Sequence, residues 1–419
     1  MKCHLIGIGG VGMSALATAL VRLGDEVTGA DRTLGTPNVK FLETLGVKVY
    51  PDDGSGIDAA TDEVIVSTAI EETNAGLIRA KELGIPVTHR AKALARTLED
   101  YKLVAVVGTC GKSTVTAMLG HVLSECGLDP MCVNGANVPG WEGAVRFGKG
   151  EYAVAEVDES DKSLVAFKPY AAIVTNASAD HYSKEEMDEV FDAFIKDCQG
   201  PVIDGRGHLE SLESLETLEV PVPGAHNRQN AEMAVRMAVA LGVPSDRAIA
   251  AMKTFRGVER RLQLISSSTP TPHTYTSTAP AVYDDYAHNP EKLKAMWTTL
   301  AEKHPEGICV IWRPHGYAPL RKMMEALAAM FAETVRPCDR LLLLPVYDAG
   351  GTTDRSVSSS DLLEKVKVRG EGEQRIELVS DLDAAYAWCK AHKGDYAAFV
   401  TCGARDPGLP VLAKRLSEM

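Results

Sequence analysis

The stretch VAVVGTCGKSTVTAML, residues 104–119, decides the fold. Four apolar residues run straight into Gly108-Thr109-Cys110-Gly111-Lys112-Ser113-Thr114, and a helical pattern follows. A strand that passes through glycines into a helix is a phosphate cradle. Its backbone N–H groups line an anion nest, and the helix N-terminus adds its positive end. Lys112 then reaches terminal phosphates, and the Ser113 hydroxyl suits Mg²⁺. The usual spacing is G-x-x-x-x-G-K-[ST]. Here Val106 stands at the first glycine's place, so the turn is two residues tighter. The plain alternative is a tight strand-to-helix turn with a surface lysine.

A second glycine turn lies at the N-terminus, in HLIGIGGVGMSAL (residues 4–16). Gly7-x-Gly9-x-x-Gly12 follows a strand-like run and opens a helix. Asp31 closes the next strand, where a ribose hydroxyl is usually held. This turn alone leaves three readings open: a nicotinamide or flavin dinucleotide, another diphosphate ligand, or a packing turn.

Working outward, short apolar runs alternate with helical patterns along all 419 residues. CHLIGI, EVTGAD, KVY, EVIVST and IPVTH read as strands, with helices at Ser14–Leu23 and Asn74–Leu83. The pattern restarts near Tyr101, with strands at 152–158 and 170–176 and helices at Met187–Cys198 and Asn230–Leu241. After a Ser/Thr/Pro-rich segment, Ser266–Pro280, a third alternation begins. Its strands are GICVIW, DRLLLLPVY, IELVS and YAAFVTCG, and its helices Pro290–Lys303, Leu320–Thr334 and Asp383–His392. Such alternation predicts parallel sheets with crossover helices, an α/β fold in three domains.

The formal charge of −13 argues against nucleic-acid and membrane-surface partners, which want a basic footprint. The nine cysteines are scattered with no CxxC, as expected of reduced thiols in a cytoplasmic protein. No apolar run approaches the length of a membrane helix, and nothing near the start reads as a signal peptide.

Other residues have the chemistry to serve the phosphate loop. Glu156, Asp158, Glu159 and Asp161 end a strand beside it and suit Mg²⁺, unless they form a solvated acidic loop. Asp180-His181 ends the following strand in the same manner. In PGAHNRQNA (223–231), placed before a helix, the amides and His226 either read an adenine edge or cap that helix.

The segments GIGGVGMS, VSTAI, GTCGKST, AEVDESD, TNASADH, PGAHNRQNA, GVERR, DDYAHNP, PHGY and VYDAGG occur in the order found in Mur ligases. The chain resembles that family over nearly its whole length, least after residue 350, and most the branch that joins L-alanine to UDP-N-acetylmuramate. The resemblance implies an N-terminal Rossmann-like UDP-binding domain (1–98), a central P-loop ATPase domain with a mostly parallel sheet (99–262), and a C-terminal Rossmann-like domain (263–419). It implies a cytoplasmic enzyme of peptidoglycan precursor synthesis, monomeric or a weak homodimer, that uses ATP and Mg²⁺. Its substrates would be UDP-N-acetylmuramate and a small amino acid, joined through an acyl phosphate.

Site roles follow from the same resemblance. Gly9, Gly10, Val11, Gly12, Met13, Ser14, Asp31, Ser67, Arg90 and Asn137 would hold the UDP-sugar. Gly108, Thr109, Cys110, Gly111, Lys112, Ser113 and Thr114 would hold ATP, with His226, Asn227 and Asn230 at the adenine. Ser113, Glu156 and His181 would bind metal. Arg261, Asp285 and His288 would approach the phosphates and ribose, Arg261 and His288 in catalytic roles beside Lys112, Glu156 and His181.

The chain departs from the family in places. Cys110 replaces a histidine, Ser178 an acidic residue and Asn289 a second histidine. The segment 201–223 is short, CGARDPGL differs from the usual GAGD, and Lys196 reads as an exposed helix lysine. Gly316 and Pro319 replace two arginines that meet the amino acid's carboxylate in relatives. His315, Tyr317 and Arg321 remain for that pocket, Arg321 as the expected substitute. The residues alone also admit an NAD-linked oxidoreductase, a kinase using one turn, or a non-catalytic binding module.

Overall fold

The computed structural model describes residues 1–158, 163–177, 184–207, 209, 215–265, 280–348, 350, 353–369 and 375–419. Three sheets organise it. The first contains β1 (Lys2–Ile6), β2 (Glu26–Asp31), β3 (Lys48–Pro51), β4 (Glu63–Val66) and β5 (Val87–His89), with α1 (Val11–Arg22), α2 (Pro37–Thr44), α3 (Ala75–Glu82) and α4 (Arg90–Thr97) between and after them. All its pairings are parallel, in the order β3-β2-β1-β4-β5. Strand β1 therefore lies at the point where the winding reverses, and the first glycine turn leaves its carboxyl end there.

The second sheet contains β6 (Lys102–Val107), β7 (Met131–Val133), β8 (Val145–Arg146), β9 (Tyr152–Glu156), β10 (Ala171–Val174) and β11 (Val202–Asp204), ordered β11-β10-β6-β9-β7-β8. Only its β7–β8 pair is antiparallel. Its helices are α5 (Lys112–Glu125), α6 (Lys184–Ile195), α7 (Ala225–Ala240) and α8 (Ser245–Met252). Leu103 to Val107 are all buried, as expected of a central parallel strand covered on both faces.

The third sheet runs β12-β13-β17-β14-β15-β16, from β12 (Gln263–Leu264), β13 (Ala281–Asp285), β14 (Ile308–Trp312), β15 (Arg340–Leu343), β16 (Ile376–Leu378) and β17 (Ala398–Cys402). Around it lie α9 (Pro290–Lys303), α10 (Tyr317–Thr334), α11 (Ser359–Val368), α12 (Leu382–Ala391) and α13 (Gly408–Ser417). Asn289 caps α9 by accepting from the Lys292 amide at 2.9 Å, and Pro290 supplies the first helical φ. That cap is a structural use for Asn289.

The chain forms two compact units, Met1–Val258 and Glu259–Met419. Within the first, α1 packs against β7 and β8, and one buried cluster runs from Leu16 and Leu20 through Val133 and Ala153. Arg22 of α1 reaches Glu142 beside β8, with Nε to Oε2 at 2.7 Å. The first two sheets thus share a core.

Two expectations shift. PGAHNRQNA does not precede its helix: α7 begins at Ala225, inside the motif, and ends at Ala240. The first turn of α7 is polar, so apolar periodicity alone places its start too late. Similarly α10 begins at Tyr317 rather than Leu320. Lys196 is exposed, one residue past α6. Most of Ser266–Pro280 lies outside the described residues.

Candidate active site

The second glycine turn joins β6 to α5 and is held from the side by the residues that follow β10. Thr175 donates to the Cys110 carbonyl at 2.6 Å, and Asn176 Nδ2 donates to the same oxygen at 2.9 Å. Asn176 Oδ1 in turn accepts from the Cys110 amide at 2.9 Å and from Thr109 Oγ1 at 2.7 Å. One amide side chain thereby satisfies both backbone groups of Cys110. The turn is closed around glycine. Gly108 has φ +128°, and a Cβ there would lie 2.1 Å from Thr175 Oγ1. Gly111 has φ +87°, and a Cβ there would lie 2.7 Å from Asn230 Oδ1. Lys112 folds back so that Nζ donates to the Gly108 carbonyl at 2.6 Å. Ser113 and Thr114 are buried in the first turn of α5.

Glu156 ends β9, paired with Val106 of β6, so its carboxylate stands one strand from the turn. It accepts from the Gly135 amide at 2.8 Å, and any Cβ at Gly135 would collide with it. Asn227 and Asn230 are buried in α7, which packs on α5, and His226 lies half-buried beside them. Asn227 donates to the Pro223 carbonyl at 2.6 Å. Glu159, Asp161, Ser178, Asp180 and His181 lie outside the described residues.

The first turn is built differently. Gly7 has φ +76°, and its amide and that of Ile8 donate to the Ala30 carbonyl. Gly10 caps α1, whose first residues are Val11, Gly12, Met13 and Ser14; Ser14 Oγ donates to the Val11 carbonyl at 3.0 Å. Asp31 accepts from the Gly9 amide at 2.8 Å and from the Thr33 amide at 2.9 Å. Asn38 of α2 donates to the Gly9 carbonyl at 2.9 Å. Arg90, the first residue of α4, lies over the turn: a Cβ at Gly12 would be 3.1 Å from its Nη1. Ser67 follows β4 at the same sheet edge. Asn137 follows β7; its Oδ1 and the Phe41 ring of α2 both come within 4 Å of where a Gly143 Cβ would stand.

The second unit carries a strained, braced segment at Arg260–Leu262. Arg260 and Leu262 take left-handed φ values of +59° and +46°, uncommon for such residues and most often kept where function needs them. Arg260 pairs with buried Asp284 at 2.9 Å and donates to the Gly403 carbonyl. Asp285 is buried with both oxygens occupied, by the Leu262 and Ala287 amides at 2.7 Å each. Burial pushes its carboxyl upward against these amides and the charge of Arg261. Arg261 stacks over the Tyr286 ring at 5.4 Å.

Next to this brace two imidazoles meet edge to face, His288 and His315, with centroids 4.8 Å apart. Burial chiefly, helped by Lys292, pushes both down to about 4, so both are neutral near pH 7. His288 Nδ1 lies 3.0 Å from the Tyr286 carbonyl, which only accepts, so the proton belongs on Nδ1 and Nε2 keeps a lone pair. Tyr317 lies under Arg355. Arg321 is half-exposed and committed to Asp354 at 2.7 Å and Ser356 at 3.1 Å.

The motif reading missed Asn176 and Arg405. Asn176 was visible as the polar pair Thr-Asn directly after the apolar run AAIV. Arg405 lay in the segment CGARDPGL, singled out as unusual, but nothing local gave it a role. No cluster of three potential metal-binding His, Cys, Asp or Glu side chains occurs among the described residues. No helix among them is long and apolar enough to cross a membrane.

Residues 2–102 match the profile of the Mur ligase family catalytic domain, and residues 260–405 that of the Mur ligase glutamate ligase domain. The UDP-N-acetylmuramate–L-alanine ligase of Desulforamulus reducens is 31% identical over 470 aligned residues, covering 100% of this chain and 98% of its own. The ligase of the same name from Rhizobium etli is 29% identical, covering 99% and 97%. In the solved structure of the UDP-N-acetylmuramate-alanine ligase of Thermotoga maritima the match has a TM-score of 0.79 at 25% identity, over 100% of this chain and 98% of that one. A murein peptide ligase from Psychrobacter arcticus shares the fold, with a TM-score of 0.67 at 20% identity over 99% and 98%.

Proposed function

Because the chain belongs to the Mur ligase family and is an ATP-dependent ligase, we propose that it joins L-alanine to UDP-N-acetylmuramate in the cytoplasm. The observation that carries this reading is the pair of glycine turns in one compact unit, each at the carboxyl edge of its own sheet. A reaction that brings a nucleotide-linked acid to ATP requires both. The first turn, with Arg90 over Gly12, takes the UDP diphosphate, and Ser67 and Asn137 take the sugar side. The second takes ATP. We assign residues 1–98, 99–262 and 263–419 to acid binding, phosphoryl transfer and amine delivery.

The chemistry follows from charge. A carboxylate is a poor electrophile, so its oxygen attacks the γ-phosphorus of ATP and ADP leaves. The amine then attacks the acyl carbon and phosphate leaves. Both partners of the first step are anions. Lys112 screens their repulsion from the turn, while Asn176 holds the Cys110 peptide so that the nest amides face the phosphates. The donors present fit Mg²⁺, which wants oxygen ligands and keeps waters and phosphates. Ser113 in the first turn of α5 and Glu156 at the end of β9 would hold it, with His181 as a further ligand. When bound, it neutralises charge developing on the transferring group. An amino acid arrives as an ammonium ion and must lose a proton before it attacks. Neutral His288, whose Nε2 keeps a lone pair, accepts a hydrogen bond from the incoming ammonium and orients it; Arg261 lies beside it, and Asp285 fixes the segment that carries both.

The test is ADP release. It should require UDP-N-acetylmuramate and one amino acid together, with L-alanine preferred in a screen of all the common ones. ADP release independent of the UDP-sugar would overturn the reading, as would thermal stabilisation by NAD and none by a UDP-sugar.

A further inference from the structure

We propose that Arg405 grips the carboxylate of the incoming amino acid from across Gly316, an inference that rests on the ligase reading above. Arg405 lies in the turn between β17 and α13, and both its neighbours are fixed. The Ala404 and Gly403 carbonyls accept from Arg260. Asp406 is buried, pairs with Arg313 at 2.5 Å and accepts from the Gly408 amide at 2.8 Å. The turn therefore presents Arg405 from a rigid base while neutralising the nearest carboxylate. Arg405 itself is exposed and makes no hydrogen bond or ion pair among the described residues.

The guanidinium overlies Gly316. A Cβ built there would be 3.9 Å from Arg405 Nη1. Behind Gly316 stand the two neutral imidazoles, and the charges of Arg405 and Lys292 both help to lower His315. A guanidinium with its fork unfilled, beside neutral rings and a lysine, is complementary to a small carboxylate. The chain has glycine at 316 and an arginine in the turn Gly403-Ala404-Arg405-Asp406. Gly316 leaves the space that Arg405 enters from the other side. Arg321, the substitute suggested by sequence proximity, is already bound to Asp354.

The experiment compares L-alanine with L-alaninamide, which lacks the carboxylate, at saturating ATP and UDP-N-acetylmuramate. Arg405→Ala should raise the KM for L-alanine about tenfold to 100-fold, the effect of removing one charge-assisted partner. The KM values for L-alaninamide and ATP should stay within about twofold, because neither meets the fork. Arg405→Lys should recover only part, since an ammonium offers no fork. The double variant Arg405→Gly with Gly316→Arg should regain preference for the free acid. An unchanged L-alanine KM in an active Arg405→Ala enzyme overturns this inference and leaves the ligase reading intact. Equal losses for acid and amide also overturn it, since they mark a structural effect. A parent enzyme inactive with every amino acid removes the ligase reading, and with it the carboxylate assigned to Arg405.

Discussion

The two glycine turns share a plan of strand, turn and helix, yet they are held in opposite ways. In the turn at Gly7–Gly12 an internal carboxylate, Asp31, already sits on the Gly9 amide, and the cation comes from another helix as Arg90. In the turn at Gly108–Ser113 a neutral side chain, Asn176, braces the loop, and the cation is the loop's own Lys112. An amide brace leaves the nest's field intact for a highly charged phosphate chain. A carboxylate brace weakens it, which under the function proposed above suits a less charged diphosphate held partly through its ribose.

The sharpest way to break this contrast is Lys112→Ala. Turnover should fall on the order of 10²-fold or more, the typical loss of one preorganised contact to a transferring group. Calorimetric binding of the UDP-sugar should be unchanged; a folded variant with near-normal kcat would remove Lys112 from phosphoryl transfer. Next comes Asn176→Ala, which removes the two hydrogen bonds that Asn176 makes to Cys110 and leaves the one from Thr175. The Kd for ATP should rise about tenfold to 30-fold, from one or two lost loop bonds, and again the UDP-sugar should bind as before. Arg90→Ala is the mirror experiment. It should weaken the UDP-sugar about tenfold and leave the KM for ATP alone; an equal effect on both ligands would dissolve the distinction between the turns.

The smallest effect concerns acid. His4, in β1 beneath the first turn, is pushed down to about 4, chiefly by burial, while bonding Thr28. Near pH 7 it is neutral in both folded and unfolded chains. Between about 6.5 and 4 the unfolded chain takes up a proton that the folded one refuses, so stability falls as pH drops through that window. Below about 4 no further loss arises from this group. The melting temperature of the first unit should fall by about 2–4 °C for each kcal/mol so lost. His4→Gln should flatten that slope in a calorimetric pH series; an identical slope would assign the acid response to other groups.

Much of the fold was legible because parallel strands buried on both faces read as unbroken apolar runs, such as LVAVV in β6 and ICVIW in β14. Helix α9 matches its expected span, Pro290–Lys303, since Asn-Pro marks the start unmistakably. Helix α7 was placed late because its first turn, AHNRQ, is polar and starts no apolar period. The turn of the candidate site was legible where it is local, at Gly108, Gly111 and Lys112, where a strand passes into a helix. The site was illegible where it depends on distant partners. Nothing in the vicinity of Gly316 announces that Arg405 covers it, and nothing near Cys110 names Asn176 as the group that meets its peptide.

The core common to the first two sheets has a thermodynamic corollary. Leu16, Leu20, Val133 and Ala153 belong to one dry cluster, and Arg22 ties α1 to the loop before β8. Neither sheet can melt without exposing apolar surface of the other, so residues 1–258 should unfold in a single cooperative transition. A fragment ending at residue 98 would lose that shared surface and aggregate rather than fold. Occupancy at one turn would then raise the melting point of the other sheet with no change in shape, purely because the two sheets stand or fall together.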